Sequence, residues 1–454
     1  MARHPRHLAL VVVVGALALV CSACNWFNVA ANPAHTGFSP LENSVSSNAW
    51  STLHRVWTAN VQPSSSTAVP SSVAVSGSTV FIHNAAGQIQ AYDANGSTNC
   101  SGTPTVCTPL WTAAAGGASG APTQTDPATD GTTVFVGGHD GTLYAFDAHG
   151  QTNCSGTPTT CAPLWSASLG SSAYDPVVDG GRVFVGTSNG DLYAFDATGT
   201  TNCSGAPKTC TPLWHASPGN PYGGIGNLPA PAVTDSFVYY PGPNSLDAFD
   251  PAGVNGCSGT PATCSPVWSA SFGTGTTSGW PVVGGGIVYQ SVHSSTTNVV
   301  ALDAAGVRGC SGTPTTCSPL WTDQTSGTFA VTPAIGPDGM LYAGFSQLDE
   351  FSTDGTTGCS GTPVVCQPLH TASFGSGLTL APSLADDVVL LGVWNPNDAA
   401  TINAYHQGTL AQIGTPFVLG PPGVNQFPGL LAISAGKVFI STSDGNLQAW
   451  ATNG

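Results

Sequence analysis

The sequence predicts an all-β protein, an eight-bladed β-propeller built from four-stranded antiparallel blades. Three observations predict it: a hairpin pattern repeats eight times, an apolar segment opened by proline precedes each hairpin, and a tryptophan-bearing segment follows most of them. Repeats of about 50 residues with four short strands each are typical of propellers. We therefore expect one ring, closed by a strand near the amino terminus that completes the last blade.

Each hairpin consists of two runs of β-branched and aromatic residues around a turn that contains glycine. Consecutive copies run from Val134 to Asp147 and from Val183 to Asp196, with Asp-Gly and Asn-Gly at their turns. Such turns between alternating apolar runs are the strongest short-range hairpin signal. The eight hairpins begin 48 to 55 residues apart, at Val80, Val134, Val183, Val238, Val288, Leu341, Val389 and Val438.

A further strand on each side of the hairpin completes the repeat. Proline has no N–H and suits the first residue of a strand, and we assign this place to Pro70, Pro127, Pro176, Pro231, Pro281, Pro333, Pro382 and Pro428. The fourth strand carries Trp111, Trp165, Trp214, Trp268 and Trp321, replaced by His370 in unit six and Phe417 in unit seven.

The two ends of the chain predict how the ring closes. The last unit stops at Gly454 without a fourth strand, whereas residues 54–60, which contain Trp57, have no hairpin before them. Unpaired strand edges expose rows of N–H and C=O groups. We predict that residues 54–60 pair with residues 446–451 and complete blade eight.

Six units carry two cysteines separated by six residues, between the third and fourth strands. Zinc sites usually space cysteines by two to four residues and need four ligands, which one isolated pair per blade cannot supply. Disulfides are typical of exported proteins, and closing such a loop stabilises by roughly 2.5 kcal/mol on the chain-entropy model. We predict six disulfides within their own loops, on the face away from the hairpin turns: Cys100–Cys107, Cys154–Cys161, Cys203–Cys210, Cys257–Cys264, Cys310–Cys317 and Cys359–Cys366.

The amino terminus has the composition of a secretory signal. Basic residues precede thirteen apolar ones, Leu8–Val20, fewer than the roughly 18 that a spanning helix needs. We interpret residues 1–23 as a signal peptide and predict no membrane span. Cys24 follows Ser-Ala and is a candidate for lipidation, although Cys21 stands where lipoprotein signals have Leu or Val. Free secretion and a lipid anchor both stay open, and both place the protein outside the cytoplasm.

Charge excludes one class of partner. Binding to nucleic acid requires basic side chains that displace counterions from phosphates. Beyond the signal, the chain has 23 acidic residues and only five basic ones, so its surface would repel DNA. We therefore expect no nucleic-acid partner. We also expect the protein to be a monomer. The five basic residues are Arg55, Arg182, Lys208, Arg308 and Lys437.

Two patterns look like chemistry and are better explained by structure. Gly186–Gly190 matches the hydrolase nucleophile elbow in letters, but that elbow joins a strand to a helix, whereas this turn joins two strands. Five equivalent aspartates end the third strands, and repetition favours turn caps over metal ligands. We therefore predict neither catalytic nor metal-ligating residues here; the five are Asp93, Asp147, Asp196, Asp250 and Asp303.

The stretch Ala145-Phe-Asp-Ala-His-Gly150, followed by Trp165, resembles the Ala-x-Asp-x-x-x-Gly…Trp docking pattern of the pyrroloquinoline-quinone (PQQ) propeller family. Residues 32–42, which lead to Trp57, are similar to the segment that precedes the ring in that family. The resemblance covers residues 25–454 and implies an amino-terminal lead-in over 24–49 and an eight-bladed propeller over 50–454. The cysteine loops depart from the family pattern.

The resemblance implies two functional branches. Quinoprotein dehydrogenases of the family hold PQQ with Ca²⁺ over a tryptophan floor, use a catalytic aspartate, and often carry two adjacent cysteines above the quinone. This chain has no Cys-Cys, and its two glutamates, Glu42 and Glu350, do not stand where a ligand is expected. Other members, of the BamB type, are non-catalytic scaffolds. We expect that branch and no cofactor, with PQQ and calcium as the alternative.

Differences between units mark the candidates for ligand binding. In propellers, the links into the first strands and the central hairpin turns share the face around the channel mouth. Two carboxylates beside aromatic side chains can bind a cation or a polyol there, while solvated rim residues are the simpler interpretation. The candidates are Asp126, Asp175, Trp280 and Phe427 in the links, and His83, His139, Asp140 and Trp394 at the turns.

Together these patterns predict a non-catalytic exported binding scaffold of the cell envelope or secreted fraction. Its partner is expected to be an envelope protein, a small molecule or a glycan. Two alternatives stay open. One is a PQQ-dependent dehydrogenase with rearranged ligands. The other is a carbohydrate-binding or carbohydrate-cleaving propeller, which requires Asp126 and Asp175 to face each other across a cleft.

Overall fold

The structure, a computed structural model, describes residues 25–40, 42–61, 71–116, 125–219, 230–293, 297–323, 331–344, 346–375, 377–396, 398–421 and 426–453. The predicted signal peptide, Cys24 and Pro70 lie outside these residues. Within them, no helix is long and apolar enough to cross a membrane.

The first half of the chain forms four blades. Each blade has an inner strand, a central hairpin and an outer strand, and a short cysteine hairpin precedes the outer strand. In chain order the strands are β1 (Phe38–Ser39), β2 (His54–Asn60), β3 (Val73–Ser76), β4 (Thr79–His83), β5 (Gln88–Asp93), β6 (Cys100–Ser101), β7 (Val106–Cys107), β8 (Trp111–Ala114), β9 (Ala128–Thr129), β10 (Thr133–Gly137), β11 (Thr142–Asp147), β12 (Cys154–Ser155), β13 (Thr160–Cys161), β14 (Trp165–Ser168), β15 (Ala173–Asp179), β16 (Arg182–Thr187), β17 (Leu192–Asp196), β18 (Cys203–Ser204), β19 (Thr209–Cys210), β20 (Trp214–Ala216), β21 (Ala232–Val233), β22 (Val238–Pro241), β23 (Ser245–Phe249), β24 (Cys257–Gly259), β25 (Ala262–Cys264) and β26 (Trp268–Ser271).

Blades five to eight complete the ring, and a single 3-10 turn, Trp50–Thr52, precedes β2. The inner strand of blade seven is interrupted and forms two short strands. The remaining strands are β27 (Thr276–Gly284), β28 (Ile287–His293), β29 (Thr297–Asp303), β30 (Cys310–Ser311), β31 (Thr315–Cys317), β32 (Trp321–Asp323), β33 (Ala334–Ile335), β34 (Met340–Gly344), β35 (Gln347–Ser352), β36 (Cys359–Ser360), β37 (Val365–Cys366), β38 (His370–Ser373), β39 (Leu378–Thr379), β40 (Ser383–Ala385), β41 (Val388–Trp394), β42 (Thr401–His406), β43 (Phe417–Val418), β44 (Ala432–Ser434), β45 (Lys437–Thr442) and β46 (Asn446–Ala451).

The ring closes as predicted. Strand β2 pairs antiparallel with β46, from His54 opposite Ala451 to Asn60 opposite Asn446. The amino-terminal strand thereby becomes the outer strand of blade eight. The eight-bladed all-β fold is confirmed, and β46 is paired on both sides, with β45 and with β2.

All six predicted disulfides are present, each within its own hairpin, from Cys100–Cys107 to Cys359–Cys366. The prediction of purely four-stranded blades is incomplete. The second strand of each cysteine hairpin pairs parallel with the outer strand of the preceding blade, as β13 does with β8. Six sheets therefore gain two short strands, because every hairpin fastens its blade to its neighbour.

Tryptophans dock six of the eight blades on the next one. The Trp111 indole N–H donates to the carbonyl of Ala148 at 3.3 Å. A Cβ added at Gly150 would lie 2.2 Å from the Trp111 ring, so only glycine permits this contact. The same arrangement recurs at Trp57, Trp165 and Trp214, and each of these rings is almost fully buried.

Phe417 does not take the tryptophan place in blade seven, contrary to the prediction. It pairs with Ile402, whereas Trp111 pairs with Ala91, whose equivalent in blade seven is Ala404. Instead the buried Trp50 ring lies 4.8 Å from the Phe417 ring, edge to face. A residue from the amino-terminal 3-10 turn therefore fills this seam.

A segment that we call the collar, residues 25–40 and 42–44, runs around one end of the central channel. It contacts all eight blades in turn, near the end of each inner strand or, in blade eight, in the turn that follows it. The bonds join Trp26 to Val75, Phe27 to Thr129, the Asn28 side chain to Val178, Pro33 to Val233, Ala34 to Val283, Thr36 to Ile335, Gly37 to Leu384, and the Glu42 carboxylate to the Gly436 N–H.

Candidate functional site

The channel mouth lies at the opposite end from the collar, where the inner strands begin and the central hairpins turn. The predicted candidates distribute over several blades rather than one cleft. His83, His139, Asp140, Asp126 and Asp175 belong to blades one to three. Trp280 belongs to blade five, Trp394 to blade seven, and Phe427 to the approach to blade eight.

Asp126 and Asp175 tie neighbouring inner strands together. The Asp126 carboxylate accepts the backbone N–H of Ser72 at 2.6 Å, and the Asp175 carboxylate accepts the N–H of Asp126 at 2.8 Å. Both side chains are buried, and burial raises the pKa of each carboxyl; the charge of Asp126 raises that of Asp175 further. The carboxylates therefore lie side by side on adjacent blades and do not face each other across a cleft.

In blades five and six the same position is linked by a neutral group. The Thr332 hydroxyl accepts the N–H of Trp280 at 2.8 Å, as Asp175 does for Asp126. Sequence reasoning passed over Thr332 and Ser72, because the link depends on how neighbouring inner strands are staggered. In two of the eight units, aspartate thus supplies the acceptor of this hydrogen bond between neighbouring blades.

The alignment of Phe427 with Asp126 is wrong. Ile433 faces Val438 as Thr129 faces Val134, so Leu430 is the equivalent of Asp126, and Phe427 lies three residues earlier. Pro428 accordingly forms only an isolated bridge with Thr442. The Phe427 ring stacks on Trp394, with centroids 4.7 Å apart and planes 15° from parallel.

His83 occupies a position at which blades two and three have glycine, Gly137 and Gly186. At Gly137 an added Cβ would lie 2.6 Å from the Ala173 carbonyl oxygen of the next blade. The His83 ring is buried instead beside Thr125, with Nδ1 2.9 Å from the hydroxyl oxygen. Burial lowers the pKa of His83 to about 4, and nearby His139 contributes to the shift. His83 is therefore neutral at physiological pH.

His139 and Asp140 occupy the neighbouring turn. The His139 ring meets Tyr174 edge to face, at a centroid distance of 6.1 Å. Asp140 accepts a hydrogen bond from the Tyr144 hydroxyl at 2.6 Å and from the N–H of Thr142. Among the described residues, no group of three or more His, Cys, Asp or Glu side chains is placed to hold a metal ion.

Charge is segregated between the two faces. All five basic residues beyond the signal lie towards the collar face: Arg55, Arg182 and Lys437 at that end of their strands, Lys208 in a cysteine hairpin, and Arg308 beside Asp303. The mouth thus has carboxylates and the neutral His83 imidazole but no Lys or Arg. PQQ is a polyanion, and the residues at the mouth do not fit it.

The collar face also has a pocket that sequence reasoning missed. Its volume is about 420 Å³, and it lies between the collar and blades two and three. Phe27 and Asn28 of the collar form one side, and Asp130, Asp179 and Gly180 form the other. The buried Asn28 carbonyl group accepts the N–H of Val178, so this side chain holds the collar in place.

Comparison with solved structures identifies the same architecture in proteins of different function. BamB from Moraxella catarrhalis shares 13% identity over 88% of this chain and 98% of its own, with a TM-score of 0.54. The quinohemoprotein alcohol dehydrogenase from Comamonas testosteroni shares 13% identity over 95% of this chain and 81% of its own, at 0.63. The computationally designed Ika8 protein shares 14% over 87% and 99%, at 0.59.

No curated protein matches the sequence. A family model does match, over residues 42–152 and 102–344, which is more than half of the chain. Its description is outer membrane protein assembly factor BamB. These matches agree with the tryptophan docking and the closed eight-bladed ring, and the chain therefore belongs to the PQQ-like β-propeller family described by BamB.

Proposed function

We propose that this protein is a non-catalytic binding scaffold, exported to the cell envelope or secreted, which acts as a monomer on a protein partner. The six disulfides and the BamB-like family support a location outside the cytoplasm. The observation that supports the scaffold role most strongly is the use of the mouth carboxylates. Asp126 and Asp175 are buried and accept backbone N–H groups of neighbouring blades, so they build the ring.

Rigidity supports the same role. The collar bonds to all eight blades, β2 closes the ring, and six hairpins fasten blades to their neighbours. A scaffold presents its surface in one conformation and so loses little entropy on binding. Mass analysis of the exported protein tests for a lipid anchor on Cys24.

The dehydrogenase alternative is not favoured, because the mouth has no Lys or Arg to pair with a polyanionic quinone and the chain has no Cys-Cys. The carbohydrate-active alternative required two carboxylates across a cleft. Asp126 and Asp175 lie next to each other instead, and each is occupied by a backbone donor.

Titration with PQQ and Ca²⁺ tests the proposal. We expect no saturable quinone absorbance in the purified mature protein, and no dye reduction with alcohols or sugars. A quinoprotein dehydrogenase reconstituted in parallel is the positive control. Stoichiometric quinone retained after gel filtration, together with substrate-dependent dye reduction, would overturn the non-catalytic assignment.

A further inference from the structure

The outer strands of the blades differ in what covers them. In six blades, a β-branched residue of the next unit's cysteine hairpin pairs in parallel with the residue that follows the docking position of the outer strand. The pairs are Thr58–Val106, Thr112–Thr160, Ser166–Thr209, His215–Thr263, Ser269–Thr316 and Thr322–Val365.

Blade six lacks this cover. Thr371 pairs with Asp349 in β35 as Thr112 pairs with Gln90, so Thr371 is the seventh member of the series. Unit seven has no cysteine hairpin, and its chain between β42 and β43 is described throughout. The sheet of blade six therefore ends at β38, with His370, Thr371 and Ser373 exposed.

The unpaired edge has a defined hydrogen-bonding pattern. In covered blades the outward N–H donates to the hairpin, as Thr112 does to the Thr159 carbonyl and Thr322 to the Val364 carbonyl, each at 3.1 Å. The Thr371 N–H has the same register. Extended peptides add to such edges through backbone bonds, with side-chain pattern and charge giving specificity.

The seam beneath this edge is also different. His370 stands at the tryptophan position, and its Nδ1 lies 2.7 Å from the buried Glu350 carboxylate. Glu350 also accepts the N–H of Gly408 and the Tyr342 hydroxyl. These bonds hold β38 in place without a hairpin, so the edge is formed before any partner arrives.

Charge indicates what kind of segment fits. Residues 331–418, which form blades six and seven, contain no Lys or Arg and seven acidic residues: Asp338, Asp349, Glu350, Asp354, Asp386, Asp387 and Asp398. The covering hairpins supply Thr or Val at the pairing position, followed by a buried cysteine.

We propose that β38 is a docking edge for an extended, basic segment of a partner protein, which adds to blade six as a parallel strand. The segment carries a β-branched residue opposite Thr371, a small apolar residue after it, and Lys or Arg at its ends. This inference rests on the scaffold function and names its surface and the chemistry of its partner.

A defined peptide tests the proposal. The probe is a fluorescein-labelled, end-capped peptide, Lys-Lys-Thr-Val-Ala-Thr-Val-Ala-Lys-Lys, titrated against the mature protein by fluorescence anisotropy. We expect saturable binding that weakens at least about tenfold with glutamate in place of the lysines. No saturable binding, or equal binding of the acidic peptide, would contradict the proposal without touching the quinone result.

Two variants locate the binding. Thr371→Pro removes the outward N–H and should weaken binding at least about tenfold, whereas Val418→Pro, on the exposed edge of blade seven, should not. If Thr371→Pro does not fold, transfer of the disulfide hairpin of residues 359–366 into unit seven should cover β38 and abolish binding. Binding that survives the covered edge, or that depends on Val418, overturns the assignment. A dimer that Thr371→Pro dissociates would instead identify a second copy as the occupant.

Discussion

Removing the collar, residues 25–44, is expected to lower the free energy of unfolding by at least about 5 kcal/mol. Loss of the buried Trp26 side chain alone costs about 3–5 kcal/mol. Each of the eight blades also loses a hydrogen bond, which is worth about 1 kcal/mol on average. Guanidinium unfolding followed by tryptophan fluorescence measures the difference.

The control for this deletion replaces the same residues with a Gly-Ser linker of equal length. The linker keeps the number of residues that precede β2 unchanged but makes none of the collar's side-chain contacts. It should be nearly as unstable as the deletion. If either variant unfolds at the midpoint of the mature protein, the collar does not hold the inner strands together.

Acid is expected to destabilise the protein through two buried histidines. Burial lowers the pKa of His35 and of His83 to about 4 in the folded protein, against 6.5 in the unfolded chain. Above pH 6.5 both histidines are neutral in the folded and in the unfolded protein, and their contribution to the free energy of unfolding is fully present. As the pH falls from 6.5 to 4, only the unfolded chain binds protons, so about 3 kcal/mol is lost for each histidine.

The variant His35→Asn/His83→Asn should lose much less stability over this pH range than the mature protein does. Its stability at pH 7 is also lower, so the quantity to compare is the pH slope of the unfolding free energy. Gln151→Asn, at an exposed side chain that does not titrate, serves as the control and should leave the slope unchanged. An unaltered slope in the double variant would contradict the buried neutral state. The raised pKa values of Asp126 and Asp175 act in the opposite direction and are common to all three proteins.

Much of the fold followed from the sequence because each signal was local and repeated. The Asp-Gly and Asn-Gly turns specify hairpins, and the five repeated aspartates cap turns, as the Asp93 carboxylate does for the N–H groups of Asn95, Ser97 and Thr98. Closure followed from counting strands, since one blade lacked an outer strand and one such strand lacked a blade.

The remainder depends on contacts between distant residues. The collar has no periodic pattern, because six of its eight bonds to the blades use the backbone of an irregular segment. The parallel addition of the cysteine hairpins leaves no trace within one unit. The register of Phe427 was misassigned, since Pro428 lies three residues earlier than the position that Pro127 occupies in unit two. The sequence predicted that Asp126 and Asp175 lie on the same face of the ring, at the mouth. Their structural role follows only from their burial and from the backbone N–H groups that they accept.

Closure of the ring by its own amino-terminal strand is tested most directly by amide hydrogen exchange. Trp57 of β2 is buried against Tyr92 and Phe439, and β2 pairs with β46 from His54 to Asn60, with one bulge at Val56. Residues 54–60 and 446–451 should therefore exchange together and slowly, through global unfolding alone. Exchange of residues 54–60 within seconds, while residues 446–451 stay protected, would show that the ring is not closed by this strand.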